Sequence, residues 1–463
     1  MTHKFTTISP IDNSVYVKRP YASYEEINQT LERAQQAQPA WKHVALEKRI
    51  QLCTTMVDAF VAKKEEIGEE ICWQMGRPIA SAAGEVAGME ERARKMIELA
   101  DAGLQSIKLD EKEGFERWIQ REALGVIFVI APWNYPYLTA INAIMPAILA
   151  GNAVILKHSA QTPLCAERLF DAFAAAGLPE GVFQYLHLNH ADTEYVIKDQ
   201  RINHVAFTGS VPGGEMVEKA AAGRFIGIGL ELGGKDPAYI RADADIAHAV
   251  DTTMDGAFYN SGQSCCGIER IYVDESIHDE FIKQAVAWVK NLKLGRSDDP
   301  DTSMGPVVRA SAADFVREQT AEAISQGAIA HISGDDFAED QPGSAYLAPQ
   351  LLSNVDHSMR VMTEESFGPV VGIQKVSSDE QAIELMNDSE YGLTASIFTQ
   401  DIEKGIELGQ QVETGTFFIN RCDYLDPDLA WTGIKSSGHG CTLSVMAYES
   451  VTRPKSFHIK TST

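Results

Sequence analysis

The chain has 463 residues, 40 of them basic and 65 acidic, for a formal net charge of −25. That length exceeds what one hydrophobic core serves, so two or three domains are expected, and the acidic excess argues against nucleic acid or an anionic membrane as partner. No basic-then-apolar leader is visible, the longest apolar run (123–133) is too short to span a bilayer, and seven cysteines without CxxC or metal-like spacing fit a reducing cytoplasm with no metal site.

Residues 1–22 read as an extended polar surface tail. From 24 to about 103 the pattern is helical. Ser23 can cap a helix whose first turn holds Glu25 and Glu26, and Leu52, Met56 and Phe60, then Ile67, Ile71 and Met75, recur at spacing four before MGRP stops the run. Residues 115–121 alternate as a strand. Short apolar strands at 125–131, 153–157, 182–186, 203–208 and 225–232 then alternate with helices, including 164–175 and one starting near Gly214. Such alternation specifies a parallel, doubly wound α/β sheet, in which ligands sit at the carboxyl ends of the strands. From Lys235 the alternation restarts, with helices at 243–258, 277–292 and 311–326 and strands at 271–273, 329–332, 348–352, 370–375 and 395–399. The break near Gly234 marks a domain boundary. The last run, 450–459, alternates as an edge strand that pairs with 115–121 or with another subunit.

The strand ends carry the polar residues. APWNYP follows Ile130, KHSAQTP follows Leu156, TGSVPGG follows Phe207 and ELGGKDP follows Leu230, and together they can line one rim. Gly209, Gly213 and Gly214 would let backbone N–H groups approach a phosphate at a helix start, although no GxGxxG is present and GSxxxG taken singly is more often a turn. The second half contributes FYNSGQSCCGIER at 258–270. Its paired thiols, Cys265 and Cys266, lie in a Gly/Ser/Asn loop between a helix and a strand, where a thiol is either placed to react or an incidental loop residue.

Four stretches, PWN (132–134), FTGS (207–210), LELGGK (230–235) and NSGQSC (260–265), occur in an order and spacing that resemble the aldehyde dehydrogenase superfamily, whose members oxidise aldehydes to acids with NAD or NADP. EESFGPV (364–370), YGLTASIFT (391–399) and GIKSSGHG (433–440) extend the likeness over nearly the whole chain. The resemblance implies a Rossmann-like cofactor domain (1–104 with 124–234), a second α/β catalytic domain (235–442) and a small β oligomerisation element (105–123 with 443–463), assembled as a homodimer or homotetramer. It implies Cys265 as nucleophile, Cys266 as its non-essential neighbour, Asn134 as oxyanion donor and Glu231 as the base that activates water against a thioester. Cofactor contacts are implied for Trp133, Lys157, Gly209, Ser210, Gly214, Leu232, Glu365 and Phe367.

The chain also departs from the family pattern. Ala160 stands where NAD-preferring members place Glu, which leaves NADP use open because no carboxylate would repel a 2′-phosphate. Ala143 replaces a lysine given a proton-relay role. Succinate-semialdehyde enzymes place arginines at the positions of Asn142 and Tyr259; both are missing, with Arg421 and His439 the nearby cationic candidates. Tyr135, Thr139, Asn142, Tyr259 and Trp431 instead suggest an aromatic, moderately polar substrate funnel for a medium-sized, aromatic or amino-bearing aldehyde. The competing readings are a coenzyme A-acylating dehydrogenase, which generally lacks the Glu231 carboxylate, a semialdehyde dehydrogenase with a non-standard carboxylate anchor, and a non-catalytic relative.

Overall fold

The computed structural model describes residues 4–461. Five parallel strands run in the spatial order Phe183–Tyr185, Ala153–His158, Val126–Ala131, His204–Thr208 and Gly227–Glu231, with the short strand Gly438–His439 antiparallel on the outer edge. Val126–Ala131 is buried along its whole length: Val126, Phe128 and Ile130 enter one apolar cluster, and Ile127, Val129 and Ala131 enter another on the opposite face. This two-sided burial is why the sequence there is continuously apolar. Strand order reverses between Val126–Ala131 and His204–Thr208, and the crevice beyond their carboxyl ends is where doubly wound sheets bind ligands. Pro132, Trp133 and Asn134 follow the first of these strands, and Gly209 and Ser210 follow the second.

Five helices, Tyr24–Trp41, Leu46–Val61, Lys64–Met75, Ile79–Ala82 and Gly84–Leu104, account for the helical first quarter. Ser23 and Glu26 form a reciprocal capping box at the start of the first.

A second sheet has seven strands, in the order Ile329–Ala330, Gln350–Ser353, Val370–Val376, Ile268–Asp274, Asp236–Ile240, Thr394–Phe398 and Thr416–Ile419, parallel except for the first pair. Asp236–Ile240 and Thr416–Ile419 were not anticipated from sequence; Pro237 in DPAYI and the Gly and Thr flanking TFFI obscure the strand pattern. The third sheet pairs Thr452–Lys460 with Phe115–Ala123 in unbroken antiparallel register, with Trp118 stacked on Phe457 at 4.5 Å between ring centroids. The two strand runs therefore pair within one chain, and Thr452–Lys460 forms one edge of the sheet.

Two further segments differ from expectation. Residues 4–20 of the anticipated tail form a hairpin, Lys4–Ile8 with Val15–Pro20, that buries Phe5, Ile11 and Val17. Its Thr7 hydroxyl donates to the Ala160 carbonyl at 2.8 Å, bracing the turn after Ala153–His158. Residues 1–3 lie outside the described residues. Gly438 and His439, inside the expected 235–442 segment, pair with the first sheet rather than the second. Among the described residues no helix is long and apolar enough to cross a membrane.

Candidate active site

The cysteine loop is a tight, strained connection between helix Ile246–Phe258 and strand Ile268–Asp274. Asn260, Ser261 and Gly262 are all left-handed, with φ of 53°, 57° and 72°, a conformation costly for the two non-glycine residues. Side chains hold it there. Gln263 accepts from the Val308 N–H at 2.7 Å and donates to the Asn260 carbonyl at 3.0 Å, and the Ser261 hydroxyl donates to Gly305 at 2.8 Å. The two cysteines then diverge. Cys265 is partly exposed and lines two cavities, whereas Cys266 is buried with its thiol 3.0 Å from an Asp423 oxygen. Contact with Cys265, burial and the Asp423 charge push the Cys266 thiol well above its usual range.

A buried ion pair ties this loop to the first sheet. Arg77 (2% exposed) pairs with Glu85, donates to the Asn134 carbonyl at 2.5 Å and to Asn260 Oδ1 at 3.2 Å, and lies over the Tyr135 ring at 4.7 Å. Glu85 in turn accepts from the Tyr137 and Leu138 N–H groups at 2.9 and 3.0 Å, capping helix Pro136–Leu149, which begins without a side-chain cap of its own. Asn134 is thereby fixed with its side-chain amide donating to the Gln263 carbonyl at 3.2 Å, two residues from the Cys265 thiol.

Glu231 ends strand Gly227–Glu231. Its carboxylate accepts from Thr208 at 3.1 Å and from Thr442, and burial pushes its pKa up against the pull of those two hydroxyls. Behind it a cavity of about 40 Å³ is lined in part by Ala143, Asn142 and Thr442, room for ordered water where the lysine is missing.

The larger cavity, about 530 Å³, brings together Trp133, Asn134, Lys157, Gly209, Ser210, Glu231, Leu232, Cys265, Glu365 and Phe367 at the switch point. Lys157 has no ion-pair partner among the described residues, and burial pulls its pKa down to about 8, so an anionic group beside it would be strongly favoured. Ser210 caps helix Val211–Ala221, leaving that helix start open to the cleft. Glu365 is held by the Gly234 N–H at 3.1 Å, and burial, then Glu269, raises its carboxyl to about 8. A second buried pair, Lys235–Glu269, fixes the same loop: Glu269 accepts from the Ser366 and Phe367 N–H groups at 2.8 and 2.9 Å, and Phe367 packs edge-on against Trp133. A phosphate-bearing dinucleotide fits this set of a cation without an ion-pair partner among the described residues, a helix start and a buried carboxyl. Gly214 is the exception among the expected contacts. It lies under Leu232, 2.8 Å from where a Cβ would be, and does not line the cleft.

The second cavity, about 300 Å³, opens on the other side of Cys265 and brings together Tyr135, Thr139 and Tyr259, three of the residues that the sequence assigns to a funnel. Arg421 and Trp431 do not line it: Arg421 is exposed and stacks on Tyr424 at 3.7 Å, and Trp431 is buried in the core. His439 pairs with Glu218 at 3.0 Å on the surface. Asn142 is buried just behind the chamber wall. Sequence reasoning missed Arg77, Glu85, Arg92, Asp423 and Thr442. In a helical pattern Arg77, Glu85 and Arg92 look like surface charges, and only the interruption at MGRP marked anything unusual.

Arg77→Met would leave Glu85 buried without its cation, and should lower unfolding free energy by about 3–5 kcal/mol. Urea unfolding measures this, and Arg77→Met/Glu85→Leu should recover much of the stability without recovering turnover.

The model of the family described as "Aldehyde dehydrogenase family" matches residues 1–457. A succinate semialdehyde dehydrogenase [NAD(P)+] of Escherichia coli K12 is 33% identical over 96% of this chain and 95% of its own. A succinate-semialdehyde dehydrogenase [NADP(+)] of Mycobacterium tuberculosis is 30% identical over 95% and 96%. The crystal structure of succinic semialdehyde dehydrogenase from Streptococcus pyogenes with NADP+ superposes with a TM-score of 0.94 at 30% identity, covering 98% of this chain and all of that one. With fold, sequence and site in agreement, the chain belongs to the aldehyde dehydrogenase family, enzymes that use NAD or NADP.

Proposed function

We propose that the chain oxidises an aldehyde to its carboxylic acid through Cys265, Asn134 and Glu231. One observation carries the assignment: Cys265 stands at the junction of two cavities, with Asn134, Lys157, Glu231 and Glu365 around one and the tyrosine-lined chamber on the other. The Cys265 thiolate attacks the aldehyde carbon, and the resulting oxyanion is held by the Asn134 amide and the Cys265 N–H, donors worth about 10²–10³ in rate. A nicotinamide bound in the cleft would supply the hydride acceptor, and with the hydride gone the carbonyl re-forms as a thioester on Cys265. Glu231 takes a proton from water as it attacks that thioester; the carbon–sulfur bond breaks, the thiolate is restored and the acid leaves. Lys157 and Ser210 would hold the cofactor's adenosine and phosphate end, and Glu365 its nicotinamide ribose. The Glu231 carboxylate supports hydrolysis over transfer to coenzyme A. Seven unpaired thiols support a reducing cytoplasm, and the edge strand Thr452–Lys460 supports assembly into a homodimer or homotetramer.

Cys265→Ala should abolish aldehyde-dependent reduction of NAD(P), with Cys266→Ala retaining most of it and coenzyme A leaving the product a free acid. Retained turnover in Cys265→Ala would remove the thiol from the mechanism.

Glu231 acts in its ionised form, so deacylation should rise with pH through a carboxyl pKa above the ordinary carboxylate range. Thr442 donates to that ionised form, so Thr442→Val should move the acidic limb of the pH–kcat profile to higher pH. An unmoved limb would mean that another group titrates.

A further inference from the structure

The substrate chamber contains a buried cation that the chemistry above does not use. Helix Gly84–Leu104 delivers Arg92, 7% exposed, to the wall that also holds Cys265. Its Nη1 donates to the Leu138 carbonyl at 3.1 Å and to Asn142 Oδ1 at 3.4 Å. Arg92 lines the cavity, its Nε and Nη2 have no acceptor among the described residues, and no carboxylate among them forms an ion pair with this guanidinium. Glu85, two turns earlier on the same helix, is committed to Arg77 and the start of helix Pro136–Leu149. A buried guanidinium without a counter-charge is expensive, and its planar fork of donors matches a carboxylate.

The acids of the chamber lie elsewhere or are engaged. Asp423 accepts from Ser264 and Cys266, Glu91 accepts from the Tyr424 hydroxyl, and Asp255 and Glu91 are exposed at the mouth. The chamber thus holds the Arg92 guanidinium and the hydrogen-bonded Asp423 carboxyl inside, with two exposed acids at its rim. A carboxylate reaching the rim would be repelled, and one stopping at Arg92 would be paired.

We propose that Arg92 determines substrate specificity by binding the distal carboxylate of a short ω-oxo acid whose aldehyde carbon meets Cys265. Asn142 orients the guanidinium through its Oδ1 and does not itself supply charge. This rests on the aldehyde-oxidising reading above.

The test compares succinate semialdehyde, butanal and 4-aminobutanal at saturating cofactor in the wild type, Arg92→Gln and Arg92→Lys. The wild type should favour the carboxylated aldehyde over butanal in kcat/KM. Arg92→Gln should collapse that ratio by roughly 10²-fold, mostly through KM, with Arg92→Lys restoring part of it. Succinate should slow iodoacetamide alkylation of Cys265 in the wild type and less so in either variant, a readout independent of turnover. Equal losses on all three aldehydes, a wild-type preference for 4-aminobutanal, or succinate protection unchanged by the substitutions would each overturn the role of Arg92. Oxidation of butanal without any preference sinks only this proposal, whereas failure to oxidise any aldehyde sinks the underlying reading.

Discussion

The buried pair of Arg77 and Glu85 is the constraint on which the rest of the site depends. Neither residue touches the space where substrate would lie, yet their remaining hydrogen bonds reach two separate pieces of chain: the Asn134 turn with the start of helix Pro136–Leu149 that follows it, and the cysteine loop at Asn260. A buried ion pair contributes little net stability, because desolvation consumes most of the Coulombic gain. What it supplies is position. Asn134 comes from the first sheet and Cys265 from the loop that enters the second, and the pair fixes one against the other. The left-handed run Asn260–Ser261–Gly262 is held in the same way, with strain at the loop offset by partners on neighbouring elements.

Around that fixed centre the site keeps several buried charges short of partners. Lys157 is pulled down to about 8 and Glu365 pushed up to about 8 by the same loss of solvent, and Glu231 is raised for the same reason. Arg92 adds a guanidinium without an ion-pair partner among the described residues, in the wall of the second cavity. Each is costly to bury, and each lines a cavity where a ligand group of opposite charge or matching donors would relieve that cost. The same logic separates the twin cysteines: Cys265 opens to both cavities, whereas Cys266 is buried against Asp423 and kept as a thiol.

Much of this was legible in the sequence. The strand ends announced the rim because a continuously apolar strand has to terminate in polar residues, and the motifs PWN, FTGS, LELGGK and NSGQSC converge on one cleft. What was not legible follows from distance and disguise. Arg77 and Asn260 are 183 positions apart and meet only after folding. Arg92 lies on a helix of ordinary amphipathic pattern, where a charged residue is normally solvated. The hairpin at 4–20 escaped notice because its buried positions, Phe5, Ile11 and Val17, are sparse in a polar segment, and Asp236–Ile240 because a proline interrupts it. Arg421 and Trp431 were placed in the funnel by position in the chain, but cation–π stacking and burial hold them outside it.

The most direct test of the central claim is to trap the covalent intermediate. Glu231→Gln, incubated with aldehyde and NAD(P)+, should accumulate an acyl group with the reduced cofactor formed in a single burst. Mass spectrometry of the proteolysed protein should find the aldehyde's acyl mass on the peptide containing Cys265, with fragmentation assigning it to Cys265 rather than Cys266. An acyl group on another residue, or a full burst with no adduct, would contradict the account.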